Sequence, residues 1–239
     1  MELKRKHSWP KTKFEAISFQ KEMSDLVDLQ GNNNEPTLIA AVDTAYGYAG
    51  EKLYAAAVVI TYPKLQEVER AYHFDSIDFP YHPGLFYFRE GPVILEVLDK
   101  LENQPDLLII HGHGIAHPKR IGMACHVGLD FDLPTIGCAR KLLAGTHRPV
   151  GEAKGSSRSI LLNSKEVGLA YRSKDKVKPI FISPGYKCDL TFARDIIVKC
   201  LRGYRLPEPL RMAHLFANKF KRYNEKEQKS PSREFSEET

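Results

Sequence analysis

Three polar side chains stand at places where an apolar segment ends or a helix begins. Asp43 closes the run "TLIAAVD", His111 follows "DLLII", and Glu90 lies inside "GLFYFREGPVILEVLDKLENQPD". Carboxylate oxygens and imidazole nitrogens are the donors that hold divalent cations and move protons. In mixed and parallel α/β sheets such groups collect in the crevice outside the carboxyl ends of the strands. Taken alone, Asp43 is read equally well as a turn former, because aspartate side chains hydrogen-bond nearby backbone.

The stretch "DLLIIHGHGIAHPKRIGMACHVG" at 106–128 crowds His111, His113, His117 and His126 just past an apolar strand. Alternate residues of an extended loop can share one metal, so a zinc cluster is one reading. All-histidine structural zinc is unusual, and Cys125, Cys138, Cys188 and Cys200 offer no C-x-x-C pair to support it. Hydrogen-bonded structural histidines are the preferred reading, and a zinc-dependent hydrolase with another substrate is the weaker one. Gly112, Gly114 and Gly122 lack a Cβ and so allow backbone to approach a flat ligand, such as a base withdrawn from its stack. In "FPYHPGL", Pro80 and Pro83 stiffen a loop that displays Tyr81 and His82. Such a loop can wedge between bases, although a plain helix-entry turn has the same spelling.

These residues need a scaffold, and hydropathy patterning supplies one. Residues 37–43, 53–63 and 67–75 read as three consecutive strands with short links, an antiparallel meander. Phe88, Pro92, Leu95, Leu98 and Leu101 recur at helical spacing, predicting a helix over 83–102. The short apolar runs at 106–110 and 133–139 have the composition of strands buried on both faces. Shorter strands are expected around 159–162, 167–171 and 179–182, with helices over 190–201 and 208–222. The whole is an α/β fold: a mixed sheet with helices on its faces, over residues 1–222, preceded by an N-terminal arm set off by "QGNNNEP". The polar segment 223–239 reads as a disordered tail.

Composition limits the function classes. Of 239 residues, 35 are Lys or Arg and 30 Asp or Glu, a net charge of +5, with the basic residues crowded towards both ends. That suits nucleic acid without requiring it. No apolar run approaches the roughly 20 residues of a membrane span, and the basic N-terminus has no apolar segment behind it to make a secretory signal. The cysteines read as buried thiols of a reducing cytoplasm.

Six collinear blocks resemble the endonuclease V family, which nicks nucleic acid beside deoxyinosine or inosine. They are "VDTAY" (42–46), "PYHPGLFYFRE" (80–90), "HGHGIAHPKRIGMACHVG" (111–128), "GEAKGSS" (151–157), "SPGYKCDL" (183–190) and "RLPEPLRMAH" (205–214). The resemblance implies a ribonuclease H-like fold with a mixed five-stranded sheet, its first three strands antiparallel. It implies that Asp43 and Glu90 are metal ligands and that Tyr81, held in Pro80–Pro83 beside His82, is a strand-separating wedge. Leu85, Phe86, Gly112, Gly114, His117 and Gly122 would form the hypoxanthine pocket, with His117 facing the base. His214 would lie near the attacked phosphate, and Arg140 stands where the family often has a lysine. The implied cofactor is Mg²⁺ or Mn²⁺. The implied partner is DNA or RNA containing deaminated adenine, nicked on the 3′ side to leave a 3′-hydroxyl and a 5′-phosphate by a cytoplasmic monomer.

The chain departs from the family pattern at Tyr186, where members often carry histidine or asparagine, and above all at His111: D-G-x-G has become H-G-H-G, with His111 at the usual aspartate. A neutral imidazole removes one negative charge and is a poorer ligand for Mg²⁺ than for Mn²⁺ or softer ions. Two outcomes follow from the residues: a nuclease of altered metal preference, or a homologue that binds inosine without cutting.

Overall fold

Side chains of a strand alternate between its two faces, and here both faces are apolar. Strand β1 (Leu38–Tyr46) sends Ala40 and Val42 into one core and Ile39 and Ala41 into another. The same division recurs in β4 (Leu107–Ile110), with Leu108 and Ile110 on one side and Leu107 and Ile109 on the other. Strands buried on both sides require helices on both sides. The computed structural model, which describes residues 1–31 and 33–227, shows that three-layer arrangement.

The meander is β1, β2 (Lys52–Thr61) and β3 (Glu67–Ser76), all antiparallel. β4 and β5 (Thr135–Ala139) then run parallel to β1. Helix α2 (Phe86–Asp99) and helix α3 (Met123–Phe131) cover one face, together with helix α1 (Lys13–Ser24) of the N-terminal arm. Helices α4 (Leu190–Lys199) and α5 (Glu208–Glu227) cover the other.

The sheet is larger than the five strands expected. β6 (Ser157–Leu162), β7 (Lys165–Tyr171) and β8 (Ile180–Tyr186) match the short strands that the sequence predicts, and they join the same sheet. The order is β3-β2-β1-β4-β5-β8-β7-β6, eight strands among the described residues. The cause is β8, buried along nearly its whole length, which pairs with β5 and β7 and so leaves no edge between the halves.

Helix α2 begins at Phe86 rather than near 83, because Gly84 takes φ +78° and Leu85 is outside helical geometry. Helix α5 continues past 222 to Glu227, so the first residues of the expected tail are helical; the rest of that tail lies outside the described residues. All four cysteines are buried and unpaired. No helix among the described residues is long and apolar enough to cross a membrane.

Candidate active site

Register brings the first two candidate residues together. Val42 pairs with Ile110 in the parallel β1–β4 ladder, so the next residues, Asp43 and His111, lie side by side. The His111 Nδ1 to Asp43 Oδ1 distance is 2.6 Å. From α5, His214 brings Nδ1 within 2.7 Å of Asp43 Oδ2. One carboxylate thus lies between two imidazoles. Asp43 is only 5% exposed. Burial works to raise its pKa, but hydrogen bonds from His111 and His214, with the Thr44 amide, win and hold it down at about 2. An ionised carboxylate only accepts, so each imidazole donates Nδ1–H to Asp43.

Glu90 reaches the site from the opposite face of β1. Thr44 and Tyr46, on the face turned away from Asp43, donate hydroxyl hydrogens to Glu90 Oε2 and Oε1 at 3.1 and 2.8 Å. Burial pushes the Glu90 carboxyl up, those two hydrogen bonds oppose it, and the Asp43 charge adds to the rise. Arg89 donates to the Tyr46 hydroxyl at 3.2 Å and to the Phe79 carbonyl at 2.6 Å, tying the Glu90 support to the Pro80–Pro83 loop.

Both carboxylates and His111 line one cavity of about 530 Å³, which continues past Phe86, Gly112, Gly122 and Arg140. At its mouth Tyr81 is 60% exposed, its ring set edge-on to Phe86 at 5.2 Å. The loop bearing it is braced at Gly84, whose carbonyl accepts from Gln20 Nε2 at 2.9 Å and His117 Nε2 at 3.0 Å. His117 Nδ1 in turn accepts the Lys119 amide at 3.2 Å. Burial lowers the His117 pKa to about 4, so the ring is neutral and both nitrogens are engaged within the protein. His117 lines the cavity as expected of a pocket residue, and its Nε2 braces the loop at 80–84.

Two further expectations change. Leu85 is buried in the core, and Gly114 stands behind the cavity wall, where a Cβ would come within 1.9 Å of the Pro184 carbonyl oxygen. Gly122 does line the cavity, yet its missing Cβ makes room for the His113 carbonyl at 2.3 Å. Backbone packing therefore requires glycine at both positions, and Gly122 in addition lines the cavity. The four-histidine zinc cluster does not form. His113 Nε2 meets the Lys141 carbonyl, His117 meets Gly84, and His126 is buried in a stack on Tyr87 at 3.9 Å. Among the described residues no three His, Cys, Asp or Glu side chains are grouped to hold a metal ion.

Comparison with known proteins decides the family. The Endonuclease V family model matches residues 21–215. The chain belongs to the Endonuclease V family. It is 42% identical over 215 residues to endonuclease V of Gloeobacter violaceus, covering 89% of this chain and 87% of that one. Crystal structures of endonuclease V from Streptomyces avermitilis (TM-score 0.85, 36% identity, 91% and 96% coverage) and Bacillus subtilis (0.89, 28%, 95% and 99%) share the fold. A variant of endonuclease V from Ciona intestinalis, crystallised with a 23-mer DNA containing an inosine, has a TM-score of 0.76 at 26% identity, covering 88% and 97%.

For an Endonuclease V chain the donor set is of the right chemical kind for a divalent cation: two carboxylates and an imidazole on one cavity. Here those donors are held to protein partners, Asp43 to His111 and His214, Glu90 to Thr44 and Tyr46. Asp43 and Glu90 come from opposite faces of β1 and meet at the same cavity. Sequence reading does not single out Thr44, Tyr46, Arg89 or Gln20. The period-two placement of Thr44 and Tyr46, two and four residues after Val42, is the available signal for the first pair. Gln20 lies in a helix whose role only packing reveals.

Proposed function

We propose that this chain is a divalent-cation-dependent endonuclease that nicks DNA or RNA on the 3′ side of deaminated adenine, leaving a 3′-hydroxyl and a 5′-phosphate. It would act as a cytoplasmic monomer in nucleic-acid repair. The observation that carries the reading is the single cavity joining Asp43, Glu90 and His111 to the chamber beneath Tyr81. The inosine-containing DNA held by the Ciona relative supports the substrate class.

In this reading Tyr81 enters the strand and the extruded base lodges against Phe86, Gly112 and Gly122, most easily where pairing is already weak. Asp43, Glu90 and the Nε2 of His111 would hold the cation, which when bound supplies Lewis acidity and a more acidic water. Asp43 fixes both imidazoles by their Nδ1–H groups. With its Nδ1 held there, His214 would present Nε2 to the attacking water. Arg140 at the cavity edge would neutralise phosphate. With imidazole in place of the family aspartate, Mn²⁺ is favoured over Mg²⁺.

Nicking of inosine-containing DNA and RNA oligonucleotides, titrated with Mn²⁺ and with Mg²⁺, tests this. Cleavage with Mn²⁺ exceeding that with Mg²⁺ is expected, and no nicking with either ends the nuclease reading. A second reading, lesion binding without cutting, is favoured by the engagement of both Asp43 oxygens by imidazoles. It expects inosine-selective binding by the native chain and activity with Mg²⁺ only after His111→Asp.

A further inference from the structure

The proposed function uses the cavity and the wedge but leaves unexplained an aromatic–cationic platform beside them. Tyr48, in the turn joining β1 and β2, is 68% exposed. The Lys221 ammonium lies 5.0 Å from the centre of its ring. This is not a loose loop tip. The Tyr48 amide donates to Glu225 Oε2 at 3.4 Å, and the Tyr54 hydroxyl donates to Glu225 Oε1 at 3.2 Å. Gly47 leaves room for this docking, since a Cβ there would displace Glu225 Oε1, 2.5 Å away.

Helical spacing connects the platform to the active site. His214, Asn218, Lys221 and Glu225 follow at intervals of four, three and four residues, which places them on one face of α5. His214 touches Asp43 and Glu225 anchors the Tyr48 turn, so Lys221 stands between chemistry and turn. At 1.5 Å per residue, Lys221 is about 10 Å along the helix from His214, or about three nucleotides at the ~3.4 Å rise of a duplex strand.

Sheet order gives the direction. Across β2-β1-β4-β5, the loops after β4 and β5 build the base chamber, Asp43 is on β1, and the Tyr48 turn lies on the far side. A strand whose extruded base occupies the chamber and whose phosphate lies at Asp43 leaves over that turn. We propose that Tyr48 and Lys221 form a downstream subsite for the nucleic-acid strand, the tyrosine stacking on a base 3′ of the nick and the lysine pairing with its phosphate. An aromatic face with a fixed cation is the sequence-tolerant way to hold a single strand. Two carboxylates, Glu51 of the same turn and Glu225 beneath it, balance Lys221 and the exposed Arg222, and Glu225 is already engaged by the Tyr48 amide and the Tyr54 hydroxyl. The assignment rests on the proposed function, because the base chamber sets the polarity of the strand.

Equilibrium binding in EDTA, with fluorescent oligonucleotides carrying one inosine, tests it. The oligonucleotides share a 5′ flank and extend either one or six nucleotides 3′ of the inosine. The native chain should bind the longer one more tightly. Tyr48→Ala should lose about tenfold on the longer oligonucleotide and nothing on the shorter, while Tyr48→Trp retains the advantage. Lys221→Ala should lower the slope of log affinity against log salt by about 0.7 on the longer one only. No gain from 3′ extension in the native chain, or equal losses on both lengths, overturns the subsite. Failure of the functional reading shows separately, as equal binding of inosine and adenine oligonucleotides by the native chain.

Discussion

At the scale of residues, the site is governed by how one carboxylate is shared. Asp43 stays ionised despite burial because two imidazoles donate to it. Adding a negative charge with His111→Asp should shift metal preference towards Mg²⁺. Isothermal titration of the two ions against native and variant protein checks this without relying on turnover, and an unchanged Mn²⁺/Mg²⁺ ratio would count against His111 as a ligand. Gly114→Ala makes a different kind of prediction. Its new methyl group would overlap the Pro184 carbonyl oxygen, so a loss of about 3 kcal/mol is expected in urea unfolding, at the upper end for overpacking. Were Gly114 only a ligand contact, stability would be unchanged and binding alone would fall.

Among the elements, α1 shows what local rules can do and what they leave open. Thr12 and Glu15 form a full capping box, the Thr12 hydroxyl accepting the Glu15 amide while Glu15 accepts the Thr12 amide. "TKFE" at 12–15 spells that start, yet hydropathy does not predict the helix, because its exposed face carries Phe14 and Ile17 and the amphipathic pattern is weak. Packing stabilises it instead: Ala16 joins the core and Gln20 reaches the Gly84 carbonyl. Thr12→Ala should cost about 1 kcal/mol. The loss should appear as faster amide exchange over α1 and the Gly84 loop together, whereas faster exchange in α1 alone would deny the coupling. Helix α2 is legible despite an internal Pro92, since its apolar spacing spans the proline.

Across the whole molecule, the N-terminal arm is fastened beneath the site by buried polar groups. The Lys4 and Arg5 amides donate to the Asp130 carbonyl, and the Tyr87 hydroxyl donates to Asp130 Oδ2 at 2.5 Å. His7 Nε2 stands 2.8 Å from that hydroxyl. Burial raises the Asp130 pKa to about 7, against the Tyr87 hydrogen bond and the charge of Arg5. The native state therefore prefers the protonated acid, and between about pH 4 and 7 it binds more protons than the unfolded chain. Stability should fall as pH rises through that window, by at most about 1.4 kcal/mol per unit from this group, and level off above it. Asp130→Asn should remove that slope. Urea unfolding across this window and just above it measures the slope, and an identical slope in native and variant protein would show that Asp130 titrates as an ordinary carboxylate.

The amino-acid sequence by itself determined the meander, the doubly buried strands and the position of each candidate residue along them. Those features follow from local apolar periodicity, and β1 and β4 need no long-range information to be recognised as strands. It also carried the family, because six short blocks keep their order. Only the tertiary structure decided that β6–β8 extend the same sheet, that Asp43 and Glu90 approach from opposite faces, and that His117 braces the Gly84 loop. It likewise decided that Tyr48 and Lys221, far apart in the chain, share one platform. Such outcomes depend on strand register and on which helix covers which face, and these are set by contacts between residues distant in the chain.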